Sequence, residues 1–354
     1  MIHVATFVIA IYAMVLFAKK TNFKFMLWLA CAIMICISGL RHGYIDTRLY
    51  RQGFEGLKVN SVFSWNFLLG ESSSKGFNVL AAIIKVFTQD SQAYLFILAL
   101  ITVGLLFVAI VKRVPNIELG IFLLITTGCF LDSMNGVRQY LASAILFISL
   151  PKYIKEKKFV KYALIVLLMS TIHASALLFI PLYFIARVKV WGKGTWFILI
   201  VALLLGAFFN FGVGETIAKI LEGTEYGDDY SDMLIAGNTS VNIIRVFVAL
   251  VPLVLSFITK DNKVKQTPMY TIAFNMSLIN FAVWIFATRA LYFYRLAMYF
   301  TPYMILLLCY EIYSIKDEFG KFSIYFFAVL LFFIFHLYSC YVMGDSLFVG
   351  YLKY

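Results

Sequence analysis

Along this chain of 354 residues, long apolar runs alternate with short charged segments. Runs of about 17–20 residues recur, the length a helix needs to cross a hydrocarbon layer about 30 Å thick. The pattern predicts an all-α, polytopic integral membrane protein, a single domain over 1–354 with about 12 transmembrane helices (10–14). The predicted spans are 1–18, 25–40, 94–111, 117–131, 134–150, 159–172, 174–187, 195–211, 241–259, 268–287, 290–312 and 322–342. Two longer hydrophilic stretches, 41–93 and 212–240, interrupt the series. The first closes on KGFNVLAAIIKVF, patterned as an amphipathic helix lying on the membrane surface. The opening run has no basic segment before it and no A-x-A cleavage site, so it is expected to remain as a helix. No linker, low-complexity tail or internal repeat stands out.

Composition agrees with the pattern: 62% of residues are hydrophobic, whereas soluble domains hold about 45–50% apolar residues. Charge adds orientation. Eighteen of the 30 lysines and arginines fall in one set of alternate loops with six of the 18 acids, leaving twelve of each sign opposite. The whole excess of +12 therefore lies on one side, which is predicted to be cytoplasmic, with both termini and both long loops outside. A basic excess distributed this way is topogenic and argues against nucleic acid as a partner. The five cysteines lie in apolar runs without CxxC or Cys/His spacing, so they read as small core residues, and no metal or cofactor is expected.

Topology does not explain the polar residues that remain on the outer side. In DSMNGVRQYLASAILFISL (132–150), a helix starting near Asp132 would put Asn135, Arg138 and Ala142 on one face, with Gln139 beside them. The loop after the second span offers Arg41, His42, Asp46, Arg48, Tyr50 and Arg51, and the turn near 173 offers His173. A helix through TRALYFYRLAMYF would keep Arg289, Tyr292, Arg295 and Tyr299 within a third of its circumference. Arginines collected at a membrane surface, with no Gly-rich phosphate loop, suit an anionic substrate held by side chains. A salt bridge or headgroup contact is the plainer role for any one of them. Proton transfer could fall to His173, Asp46 or Asp132. The acidic segment ETIAKILEGTEYGDDYSD in 212–240 reads as a solvated loop.

Several strings resemble the EpsG/Wzy-type polysaccharide polymerases: SGLRHGYIDTRLY (38–50), KGFNVL (75–80), MNGVRQYLASAILFIS (134–149), HASAL (173–177) and YRLAMYF (294–300). The matching positions are Arg41, Asp46 and Tyr50 after the second span, the Arg138–Gln139 pair, and His173 with Ser175. One departure is Ser74, two residues before the glycine, where the family often has an acid; Glu71 lies nearby. The resemblance implies a metal-independent, inverting glycosyltransferase of the bacterial cytoplasmic membrane, with its site on the extracytoplasmic side. It would pass a growing glycan from undecaprenyl diphosphate to the non-reducing end of a new lipid-linked repeat unit. Capsule, exopolysaccharide and O-antigen synthesis are the settings it implies. Arg138 and Arg41, with Arg289 and Arg295, would hold the departing diphosphate, and His173 or Asp46 would take the acceptor proton. Gln139, Asn135, Tyr50, Asp132 and Tyr292 complete the expected binding set. Partners would be the lipid-linked oligosaccharide and the bilayer, with room for a chain-length regulator and flippase of the same pathway. Rival readings are a polyprenyl-phosphate-sugar transferase, a membrane acyltransferase and a lipid-oligosaccharide transporter or flippase. Transporters favour repeats and ionisable groups at the membrane midplane, neither of which stands out here.

Overall fold

A computed structural model describes residues 2–65, 67, 70, 74–209, 241–259 and 267–342. The 212–240 loop and Glu71 lie outside the described residues, as does the side chain of Tyr292. Every regular element among the described residues is a helix. In chain order these are α1 (Ile2–Thr21), α2 (Lys24–Gly39), α3 (Thr47–Gly56), α4 (Val59–Val62), α5 (Lys75–Phe87), α6 (Ser91–Arg113), α7 (Ile117–Thr126), α8 (Cys129–Asn135) and α9 (Val137–Lys155). They continue with α10 (Phe159–Ser170), a 3-10 turn (Ala174–Leu178), α11 (Phe179–Ile185), α12 (Lys193–Ala207), α13 (Ile244–Ile258) and α14 (Pro268–Ala287). The last are α15 (Tyr292–Ala297), α16 (Thr301–Ser314) and α17 (Glu318–Val342).

The chain divides into two compact units, 1–150 with 160–179 and 315–354, and 151–159 with 180–314. In the first unit, α7 is buried on every side from Glu118 to Thr126, as a helix apolar on every face beyond its first turn requires. Around it pack α1, α6 and α17, while α2 lies along α6 and α1. Lys19 reaches Glu118 at 2.7 Å, tying the end of α1 to the first turn of α7, where a carboxylate also suits the helix dipole. The hydroxyls of Tyr12 and Tyr325 meet at 2.8 Å and join α1 to α17.

The second unit is built on α14, which packs against α12, α13, α15 and α16. Thr267 caps α14 by accepting from the Tyr270 amide, and Pro268 takes the first helical position, where its missing N–H costs nothing. The Glu311 carboxylate is fully buried and accepts from the Tyr270 hydroxyl at 2.5 Å and the Thr259 hydroxyl at 2.7 Å. Asn275 donates to the Val188 and Thr271 carbonyls at 2.8 and 3.0 Å. These bonds satisfy the Glu311 carboxylate and the Asn275 amide nitrogen, which would otherwise be costly to bury.

Among the described residues, four helices (α1, α6, α14 and α17) are long and apolar enough to cross a membrane. A fifth span exists if α7 and α8, bent by 47° at their junction, count together. Among the described residues the protein is thus all-helical, with the features of a membrane protein. Several expected spans are shorter or broken instead of continuous. The 117–131 run bends at Gly128, whose φ of +88° leaves the right-handed helical region. The helix expected over 134–150 begins only at Val137, because Gly136 ends α8 with a ψ of 55°. Asn135 and Arg138 therefore do not share one continuous helix face. Similarly, 290–312 splits into α15 and α16, since Pro302 in the first turn of α16 lacks the N–H that a through-running helix needs. Arg289 precedes α15 and Tyr299 follows it, so the face expected for Arg289, Tyr292, Arg295 and Tyr299 does not form. The 174–187 run becomes a 3-10 turn followed by α11, with Pro181 near the start of the latter.

Candidate functional site

The site is assembled in the first unit around α3, a helix rich in polar residues (TRLYRQGFEG). Phe54 is its buried anchor, stacked on Tyr94 of α6 with ring centroids 4.2 Å apart and planes at 11°. Its C-terminal carbonyls would be left open by a ten-residue helix. Lys85 of α5 fills that role: its ammonium is buried beneath the helix end, donating to the Phe54 carbonyl at 2.6 Å and to that of Glu55 at 2.7 Å. The same ammonium lies 5.2 Å from the centre of the Phe54 ring. Ser91, at the start of α6, donates to the Glu55 carboxylate at 2.6 Å. Arg51 donates to the Gln92 side-chain oxygen and, at 3.2 Å, to the Arg41 carbonyl. Gln92 passes the contact on to the Gly39 carbonyl at the end of α2. The polar face of α3 is thus fastened to α2, α5 and α6.

Arg41 belongs to this fastening. Only 2% exposed, it donates from Nε to the Thr47 hydroxyl at 3.1 Å and from Nη1 to the Ser38 carbonyl at 2.5 Å. The Thr47 hydroxyl in turn donates to the Tyr44 carbonyl at 2.5 Å. Arg41 joins the end of α2 to the start of α3, next to Asp46, and does not line the cavity described below.

Arg138 is the cation that does. It stands at the second residue of α9, half-buried, and Nη1 donates to the Ser74 hydroxyl at 3.0 Å. Ser74 precedes α5 in the left-handed region, with φ of 56°. Two residues on, Gly76 donates its amide to the Thr171 carbonyl at 2.8 Å. The approach is so close that a Cβ on Gly76 would lie 2.9 Å from the Thr171 Cβ, which explains the glycine in KGF.

Between α3, α5, α6 and Arg138 lies a cavity of about 240 Å³. Its polar wall carries Asp46, Tyr50, Asn78 and Arg138, and its aromatic wall includes Phe77 and Tyr94. Tyr50 meets Phe77 edge-on at 6.0 Å. One guanidinium, one carboxylate, an amide and flat apolar rings form a surface suited to a polar, ring-bearing ligand with an anionic group. Asn78 and Tyr94 were not expected from the sequence. Asn78 lies three residues after Lys75 in KGFNVL, and an asparagine interrupting an amphipathic helix was the available signal.

The remaining predicted residues are distributed as follows. His173 precedes the 3-10 turn, half-buried, with its Nδ1 2.7 Å from the Ser175 hydroxyl; it does not line the cavity. It lies two residues from Thr171 and so close in sequence to the Gly76 contact. Asp132 in α8 and Gln139 in α9 are buried. The Asn135 side-chain oxygen is buried without a hydrogen-bond partner among the described residues. Arg289 and Arg295 belong to the second unit, where both are exposed. That unit also holds Arg245, a residue not expected, whose guanidinium lies 5.3 Å from the Trp284 ring and 5.9 Å from that of Tyr294. Among the described residues, no three His, Cys, Asp or Glu side chains gather where they could hold a metal ion.

No curated protein and no solved structure matches the chain. Residues 24–354 do match the model of the EpsG family, nearly the whole chain, and the protein belongs to that family.

Proposed function

We propose that this protein is a polysaccharide repeat-unit polymerase of the bacterial cytoplasmic membrane, with the Arg138 cavity as its reaction site. The observation that carries the reading is Arg138 itself. One edge of its guanidinium rests on the neutral Ser74 hydroxyl, and the side chain lines the same cavity as Asp46 and Tyr50. A cation held by a neutral partner retains its charge for a ligand. The substrate is a glycan on undecaprenyl diphosphate, and the acceptor is the terminal hydroxyl of a second lipid-linked repeat unit.

In the proposed reaction the acceptor hydroxyl attacks the anomeric carbon from the face opposite the diphosphate, and the bond to the diphosphate breaks with inversion. Arg138 stabilises the charge that collects on the departing diphosphate. Asp46, which shares the cavity wall, takes the hydroxyl proton. His173 is the other candidate base, and its bond to Ser175 gives it a fixed orientation. Arg41 acts by holding Thr47, the residue after Asp46, at the head of α3. Twelve spans, resting on the apolar runs, with external termini and a site on the extracytoplasmic side, resting on the distribution of basic residues, complete the proposal.

Deletion of the gene, followed by electrophoresis of the surface glycan, tests the reading. Loss of the high-mass ladder with one-repeat material retained, restored by wild type and not by Arg138→Ala, is the expected result. Normal polymer length with Arg138→Ala would remove Arg138 from the site. Disappearance of single repeats from the surface would favour a transferase or flippase instead.

A further inference from the structure

A second cavity in the first unit, of about 510 Å³, lies between α2 and α6 and is almost wholly apolar. Its walls include Trp28 and Ile35 on one side and Ile101, Gly104, Leu105 and Val108 on the other. The helices meet where the Trp28 and Phe107 rings approach to 6.3 Å. Beside that contact Gly104 contributes no side chain, and a Cβ placed there would meet nothing nearer than the Ile35 Cδ1 at 3.9 Å. The groove is therefore open space left by the sequence. In a span of this hydropathy it fills with hydrocarbon.

Its position along α6 identifies which hydrocarbon. Tyr94 lines the Arg138 cavity, and Ile101 lines the groove seven residues later, two turns down nearly the same face of one unbroken helix. From Tyr94 to Gly104 the axial distance is about 15 Å. A ligand with an anionic head and a long apolar tail matches that sequence of surfaces. A free sugar nucleotide or a water-soluble phosphate would leave the groove unused.

The geometry points to the α2/α6 groove as the seat of the polyisoprenoid chain of the lipid-linked substrate whose diphosphate is held at Arg138. The inference rests on the proposed function of the Arg138 cavity. It adds that chain length is read by the protein, through α6, and not left to the bilayer.

The test is binding of two probes, undecaprenyl diphosphate and dimethylallyl diphosphate, whose single isoprene unit is too short to reach Gly104, to the full-length protein in nanodiscs. Wild type should prefer the longer chain. Gly104→Phe, which fills the groove from a position with room for a side chain, should weaken the long probe about tenfold and leave the short one unchanged. Arg138→Ala should weaken both. If Gly104→Phe binds the long probe as wild type does, the groove holds bulk lipid and the inference fails while the functional reading stands. If wild type binds neither probe, the functional reading fails and takes the inference with it. Should Gly104→Phe not fold, a photoreactive polyprenyl diphosphate applied to wild type decides the matter. Labels on 28–35 and 100–108 support the groove, and labels confined to other helices overturn it.

Discussion

Replacing Gly76 by alanine tests the link between the KGF segment and the site. The new Cβ would stand 2.9 Å from the Thr171 Cβ and 3.1 Å from its carbonyl carbon, where ordinary contacts begin at 3.4 Å. The Thr171 hydroxyl can rotate away, but its Cβ and backbone cannot yield without stretching the 2.8 Å bond from the Gly76 amide. Overpacking of this kind costs about 1–3 kcal/mol, and weakening that hydrogen bond adds roughly 1 kcal/mol. The displaced element is the first turn of α5, which presents Ser74 to Arg138. Purified Gly76→Ala should therefore melt roughly 3–8 °C below wild type and restore less polymer in the deletion strain. Thr171→Gly in the same chain removes the colliding Cβ and should recover part of both losses. A double-mutant cycle would then give a coupling of about 1 kcal/mol or more. Wild-type melting and polymer for Gly76→Ala, or no relief from Thr171→Gly, would refute the reasoning.

Other substitutions probe the remaining supports. Lys85→Met removes two bonds to the end of α3 and should cost about 3 kcal/mol, read as a lower melting temperature with reduced polymer; an unchanged temperature would mean that water caps those carbonyls. Gly128→Ala forces a side chain into the left-handed region and should destabilise by about 1–2 kcal/mol, measured by thermal denaturation. Arg138→Lys keeps the charge and loses the planar fork, so glycan gels should show shortened polymer at unchanged protein level; full-length polymer would reduce Arg138 to a point charge. Lys19→Ala leaves the buried Glu118 carboxylate without its cation and should lower the melting temperature by more than Lys20→Ala does.

How far the site was legible depended on the distance over which each signal acts. Arg138, Asp46 and Tyr50 stood out because charged and phenolic groups beside apolar runs are conspicuous in one dimension, and all three line the cavity. The KGFNVLAAIIKVF helix was equally plain, since its apolar period is local. Arg41 looked like the same kind of residue as Arg138. Its bonds to Ser38 and Thr47 depend on how the chain turns between α2 and α3, and no spacing rule conveys that. Lys85 resembled any basic residue at a helix end, until the return of α3 brought two open carbonyls to its ammonium.

By itself, the sequence determined that this is a helical chain with the apolar segments of a membrane protein, because hydropathy acts through solvent and is additive along the chain. It also carried the family resemblance that the match over 24–354 bears out. Only the tertiary structure decided where helices break, as at Gly128, Gly136 and before Thr301, since capping and bending depend on neighbours that hydropathy does not see. It alone separated the arginine that faces a cavity from the one that fastens two helices, because a side chain's role follows from what folding brings within about 3 Å of it.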